Sequence, residues 1–217
     1  MAAPSTPRAP LSREAVLRAA ITIADAQGLD ALSMRSLGAA LGVQAMSLYN
    51  HVANKDAVLD AIVDAVVAEI AVPLASEPWK VAMRKRATSA HAVLLRHPWA
   101  CGLLMSRMNV GPAMLRYVDA TLACLQAGGF SLPMADHAWN ALDSYIYGFT
   151  LHKLNFPIQE EAYASMAAAY LPSLPQAQFP AMHALTVLVA RGEHNGLHDL
   201  GFGLELLLDG LGRMRGG

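Results

Sequence analysis

Apolar residues recur along this chain at three- and four-residue intervals, and no stretch sustains the strict alternation, rich in Val, Ile, Thr and aromatics, that a half-buried strand requires. The pattern predicts an all-α protein. Ser12 with Glu14 two residues on reads as an N-cap and acidic first turn; Val16, Ala19, Ala20, Ile23 and Ala24 then share one face until Gly28 stops the helix. Three short helical segments follow between Leu29 and Ile62, with Ser33 and Asn54 as N-caps and Gly42 at a tight turn. Helices that short are unstable alone. They must pool Leu32, Leu37, Leu41, Val43, Leu48, Val52, Val58, Leu59 and Ile62 in a shared core. A small domain over residues 11–57 is therefore expected, behind a Pro-containing segment, residues 1–10, read as a flexible tail.

Farther along, Pro73, Pro78, Pro98, Pro112, Pro133, Pro157, Pro172, Pro175 and Pro180 punctuate longer amphipathic segments and mark their starts and stops. The spacing predicts helices over 55–72, 78–96, 98–105, 111–127, 132–155, 181–191 and 198–214, with a Pro-rich connection at 171–180. Residues 58–217 thus form a second, larger helical domain, and no repeat is visible.

A 54% hydrophobic composition over 217 residues is ample for a core without staples. Cys101 and Cys124 are too few and too far apart for a disulfide framework or a zinc site, and read as core filler in a reducing compartment. The first ten residues lack the apolar run of a signal peptide, and no stretch reaches the roughly 18 apolar residues that span a bilayer. A soluble, cytoplasmic protein without a membrane partner is expected. The net charge of −1 does not advertise a nucleic-acid partner. Placement of a few cations must carry any such reading.

Residues 33–52 supply that placement. Ser33 to Leu41 reads as a first helix, Gly42 permits a turn with positive φ, Val43 plugs the core, and Gln44 to His51 reads as a second helix with polar side chains outward. That is the anatomy of a helix-turn-helix. The details carry a resemblance: the small-residue first helix ending in Gly28, Ser33-Met34-Arg35, Leu41-Gly42-Val43, and Leu48-Tyr49 followed by His51-Val52 and Asn54-Lys55 resemble the N-terminal domain of the TetR (tetracycline-repressor) family of transcriptional regulators. The Trp79 segment and residues 202–211 resemble the tetracycline-repressor subgroup of its C-terminal domain, so the resemblance spans nearly the whole chain.

The resemblance implies DNA contacts at Ser33, Arg35, Gln44, Ala45, Met46, Ser47, Tyr49, Asn50, His51 and Lys55. Arg35 suits guanine O6 and N7, Gln44 suits adenine, and Ala45 and Met46 suit a thymine methyl unless Met46 packs inward. Ser47, Tyr49, His51 and Lys55 offer donors to phosphates. Asn50 departs from the aromatic residue frequent there in the family, which bears on the backbone contact.

It further implies a dimer on an inverted-repeat operator, with Ala141, Ser144, Gly148, Phe202, Gly203, Leu206 and Gly210 as pairing candidates, although helical spacing alone does not separate a dimer face from the core. An unknown small-molecule effector is expected in the C-terminal domain. His91, Trp99, Met105, Met108, Trp139, Asn140, Tyr145, Phe149 and His152 mix apolar lining with orienting groups, and plain core packing is the alternative for each. The positions matching the tetracycline and magnesium grip are Ala71, Arg86, Ala90, Leu104 and Arg107, which argues against a tetracycline sensor. His194 and His198 stand four apart, but Asn195-Gly196 between them breaks a helix. No metal, cofactor or catalytic constellation is expected. Repression relieved by ligand is the leading reading; an activator, a binding module without DNA recognition, and a helical enzyme are the alternatives.

Overall fold

The computed structural model describes residues 11–157, 160–195 and 199–215. The first four helices are α1 (Arg13–Gln27), α2 (Met34–Leu41), α3 (Ala45–Leu48) and α4 (Lys55–Val67). The three expected N-caps are in place: the Ser12 hydroxyl accepts the Ala15 N–H at 3.2 Å, Ser33 and Ser36 exchange side-chain and backbone bonds, and the Asn54 carbonyl accepts the Ala57 N–H at 2.8 Å. Gly42 closes α2 in the left-handed region at φ 62°, as the turn demands. Val16 and Ala20 of α1, Leu37 of α2, Leu48 of α3, and Val58 and Ile62 of α4 meet fully buried around Leu32.

The second motif helix is shorter than its pattern suggests. Gln44 is an extended N-cap, α3 ends at Leu48, and the chain continues in turns in which the Leu48 carbonyl accepts both the His51 and Val52 N–H groups. Helix α4 likewise ends at Val67, followed by turns at Ala68 to Ile70, where an unbroken run to residue 72 was expected.

Seven α-helices follow among the described residues: α5 (Trp79–Arg96), α6 (Pro98–Ser106), α7 (Pro112–Ala127), α8 (Leu132–Leu154), α9 (Tyr163–Tyr170), α10 (Pro180–Ala190) and α11 (Leu200–Met214). Helix α8 is central and packs against α5, α6, α7 and α11, burying Ala138, Leu142 and Ile146 against Met83 and Leu94 of α5, Leu125 of α7 and Leu204 of α11. Trp79 stacks edge-on with Phe130 at 4.9 Å. Helix α9 was not expected: its short Ala-rich sequence is apolar on nearly every side and buries no residue, so the stripe of Tyr163, Met166, Ala167 and Tyr170 that it turns to α10 has no polar face to stand against. It packs chiefly on α10. Among the described residues no helix is long and apolar enough to cross a membrane.

Gly38 is where α2 touches the motif turn. A Cβ there would sit 2.9 Å from the Val43 carbonyl oxygen and 3.1 Å from the Ala45 nitrogen, both backbone atoms. Gly38→Ala is therefore expected to destabilise the protein by about 1–3 kcal/mol. Gly102→Ala, inside α6 with no atom near its absent side chain, should instead stabilise by about 0.5–1 kcal/mol. Urea unfolding of the two variants against the parent measures both shifts.

Candidate nucleic-acid interface and internal cavities

Helices α2 and α3 present one polar face. Ser33, Arg35, Gln44, Tyr49, Asn50 and Lys55 are exposed, while Ala45, Ser47 and His51 are half-buried. Met46 points outward with 73% of its surface exposed, so it is not core filler. Leu48, fully buried between them, anchors the face. From residue 33 to residue 55 the chain carries Arg35 and Lys55 and no carboxylate, so this patch is positive on a molecule whose total is −1. Lys55 opens α4, where the helix dipole adds to its charge.

Among the described residues the C-terminal helices frame two polar-apolar cavities that are partly open to solvent. One of about 510 Å³ lies among α6, α7 and α8, with Leu104, Met105, Trp139, Asn140, Ser144 and Tyr147 in its wall and Arg107 and Asp143 as its charged groups. The other, of about 450 Å³, lies among α5, α8 and the start of α11 and includes His91, Phe149 and Lys153. The nine lining candidates are thus divided. Met105, Trp139 and Asn140 meet in the first cavity, and His91 and Phe149 in the second. Met108 is 88% exposed and borders a smaller cavity of about 300 Å³ against α4. Tyr145 lies outside both walls: its ring stacks on Phe149 and its hydroxyl donates to the Leu200 carbonyl at 2.9 Å. His152 is exposed. Trp99 is corrected outright: it is buried at the junction of α5 and α6, donating its indole N–H to Asp25 of α1 at 2.6 Å, because that carboxylate offers the partner a buried indole needs. His198 lies outside the described residues, and among those described no metal-holding group of side chains occurs.

Beneath the first cavity lies a polar cluster that the apolar pattern concealed. Arg86 of α5 is fully buried and donates from Nη2 to Asp143 Oδ1; Asp143 Oδ2 accepts the Trp139 indole at 2.7 Å and the Tyr147 hydroxyl at 3.2 Å. The guanidinium carbon sits 4.5 Å over the Tyr117 ring. Burial disfavours the charge on Arg86, but Tyr117, Asp143 and Tyr147 offset this and hold it protonated. Burial also pushes the Tyr117 and Tyr147 hydroxyls well up, which keeps both neutral; Tyr147 donates to Asp143, while the buried Tyr117 hydroxyl has no hydrogen-bond partner among the described residues. In the second cavity, burial and then Lys153 push His91 down, so its Nδ1, 2.8 Å from the Thr150 hydroxyl, belongs to a neutral ring near neutral pH.

Three carboxylates of α4, Asp56, Asp60 and Asp64, lie one turn apart on a common face. Arg107, the residue closing α6, donates from Nε to Asp60 at 2.7 Å and from Nη1 to Asp56 at 3.2 Å. Asp64 accepts the Ala113 and Met114 N–H groups at 3.0 and 2.9 Å and so caps α7. Gly111 makes room for it, since a Cβ there would lie 2.2 Å from the carboxylate. At the other end of α6, His97 Nδ1 meets the same Asp25 oxygen as Trp99, at 2.8 Å, and its Nε2 lies 3.4 Å from Glu69. Sequence reading missed these joints, although aspartates at i, i+4 and i+8 on a predicted helix were the available signal.

Residues 16–62 match the family described as bacterial regulatory proteins, tetR family, and residues 72–215 match the tetracyclin repressor-like C-terminal domain. The chain belongs to the TetR family. Among its relatives is the HTH-type transcriptional repressor DrrR1 of Streptomyces coeruleorubidus, 31% identical over 94% of this chain and 78% of that protein. Another is the class D tetracycline repressor of Escherichia coli, 30% identical over 92% of this chain and 88% of that protein. In three dimensions the chain is similar to apo ActR from Streptomyces coelicolor, with a TM-score of 0.76 and 30% identity over 96% of this chain and all of that one. ActR has also been solved with actinorhodin, and that complex aligns at a TM-score of 0.77 and 30% identity over 94% and 96% of the two chains.

This TetR-family member is accordingly a helix-turn-helix transcriptional repressor, a regulatory rather than an enzymatic class. At the positions that resemblance assigns to the tetracycline grip, Arg86 is committed to Asp143, Ala90 is buried, and Arg107 reaches toward α4. Truncating the buried cluster checks how firmly it is built. Asp143→Ala strips the counter-charge from a fully buried guanidinium and is expected to cost about 3–5 kcal/mol in urea unfolding, whereas Asp136→Ala, on the exposed side of the same helix, should cost well under about 1 kcal/mol.

Proposed function

We propose that the protein is a homodimeric repressor that occupies an inverted-repeat operator and leaves it when a small molecule fills the cavity among α6, α7 and α8. The observation that carries the DNA half is the outward face of Arg35, Gln44, Met46 and Tyr49 on a patch free of carboxylates. Arg35 and Gln44 read base edges, Ala45 and Met46 meet thymine methyls, and Ser33, Ser47, Tyr49, Asn50, His51 and Lys55 hold the phosphate backbone. Residues 11–57 act as the DNA-binding domain and 58–217 as the effector and dimerisation domain; α4 crosses that boundary as one continuous helix.

Pairing rests on the outer faces of α8 and α11. Phe202 and Leu206 are 73% and 62% exposed on α11, and Ser144 and Gly148 are exposed small residues on α8. Two copies of this helix pair would cover the apolar side chains in a four-helix interface. Ala141 is half-buried on α8 and Gly210 half-buried on α11. Gly203 serves within the chain, since a Cβ there would lie 2.5 Å from the Tyr145 hydroxyl. The effector reading draws support from ActR, solved with actinorhodin, and from a TetR of Acinetobacter baumannii, solved with minocycline.

Selection from a random DNA pool is expected to enrich an inverted repeat bound in a salt-dependent manner by a dimer. Arg35→Ala should then weaken binding by about 1–3 kcal/mol and flatten preference at one base pair per half-site. Enrichment of no sequence, or an unchanged preference profile in that variant, counts against the reading.

A further inference from the structure

Arg107 belongs to two neighbourhoods at once. It is one of the residues lining the 510 Å³ cavity, and its guanidinium grips Asp56 and Asp60 on the first two turns of α4. Helix α4 begins four residues after His51, so the element held by Arg107 is the one that carries the positive patch at its start. The cavity's other charged group, Asp143, is already occupied by Arg86, Trp139 and Tyr147. The amide of Asn109 donates to the Leu104 and Arg107 carbonyls. Arg107 is therefore the charged donor of this wall whose partners lie outside the cavity, and with a quarter of its side chain exposed it can change partners without first being disinterred.

Building on the reading of this cavity as the effector site, we propose that Arg107 is an exchangeable latch for an acidic effector. The ligand class is an apolar molecule bearing an anionic oxygen, a carboxylate or an ionised phenol, with its body against Leu104, Met114, Val118 and Trp139. A guanidinium loses little in trading one pair of charge-assisted bonds for another. The loss falls on α4. Asp56 and Asp60 stand one turn apart, and without the cation they repel each other and no longer seat the helix on α6. A bound anion and a docked α4 compete for one cation, and that competition is the coupling between cavity and DNA.

A carboxylate built into the wall tests this without knowing the natural effector. Met114→Glu is compared with Met114→Gln, which has the same size and no charge, on the DNA that the parent protein enriches from a random pool. Each is made in the parent and in an Arg107→Gln background, with thermal melting and sedimentation as controls for fold and assembly. Met114→Glu is expected to bind about 5- to 50-fold more weakly than Met114→Gln in the parent, and the two are expected to bind alike once Arg107 is neutral. Where Arg107→Gln binds too weakly for comparison, amide hydrogen exchange along residues 57–61 of the DNA-free proteins gives the same four-way comparison. Faster exchange in Met114→Glu that depends on Arg107 supports the latch. Equal behaviour of the two Met114 variants in the parent, or an undiminished gap without Arg107, overturns it. A parent protein that enriches no DNA overturns the operator reading instead, and the latch with it.

Discussion

Helix α4 is held on two sides by two different kinds of force, and the arrangement of the whole chain follows from that. Its apolar side, Val58, Ile62, Val63, Val66 and Val67, is buried in a core shared with the N-terminal helices and with α6 and α7. Its acidic side, Asp56, Asp60 and Asp64, is spent on the guanidinium of Arg107 and on the amide end of α7. Dispersion and the hydrophobic effect fix how close α4 lies to its neighbours but are indifferent to small slides. The carboxylates, with directional partners, set its register. The presentation of α2 and α3 depends on that register, because α3 has four residues and no stability of its own.

The two arginines near the first cavity illustrate how burial divides labour. Arg86 is sealed, paired with Asp143 and stacked on Tyr117; withdrawing any partner leaves a charge in a medium that cannot solvate it, so the cluster is rigid. Arg107 sits at the rim, where solvent softens both the cost and the gain of its ion pairs. A regulator needs both: a fixed floor against which a ligand is read, and a contact cheap enough to exchange. The joint at the opposite end of α6 is of the first kind, since His97 and Trp99 converge on a single oxygen of Asp25 and tie α1 to the corner between α5 and α6.

Much of this was legible in the amino-acid sequence because it is written in local terms. The caps at Ser12, Ser33 and Asn54, the turn at Gly42, the order of helices from α5 to α8 and the outward polar face of the motif all follow from side-chain periodicity and backbone preference over a few residues. Helix α9 escaped because a short Ala-rich helix, apolar on nearly every side, offers a periodicity argument no polar face for contrast. The end of α3 escaped because its turns keep helical hydrogen-bonding partners without remaining helix.

The partition of the aromatic and methionine residues could not be read in this way. Trp99 and Trp139 each donate to a carboxylate, yet one seals a joint between helices and the other edges a cavity: Asp143 stands one turn beyond Trp139 on the same helix, whereas only the fold brings Asp25 of α1 to Trp99. The sequence by itself determined the all-α class, the helix-turn-helix and its exposed Arg35, Gln44 and Lys55, since each rests on spacing within one or two turns. Only the tertiary structure decided that Asp56, Asp60 and Arg107 form one contact and that this contact opens onto a cavity. Those residues lie some fifty positions apart, and nothing in local chemistry ranks one distant partner for a surface aspartate above another.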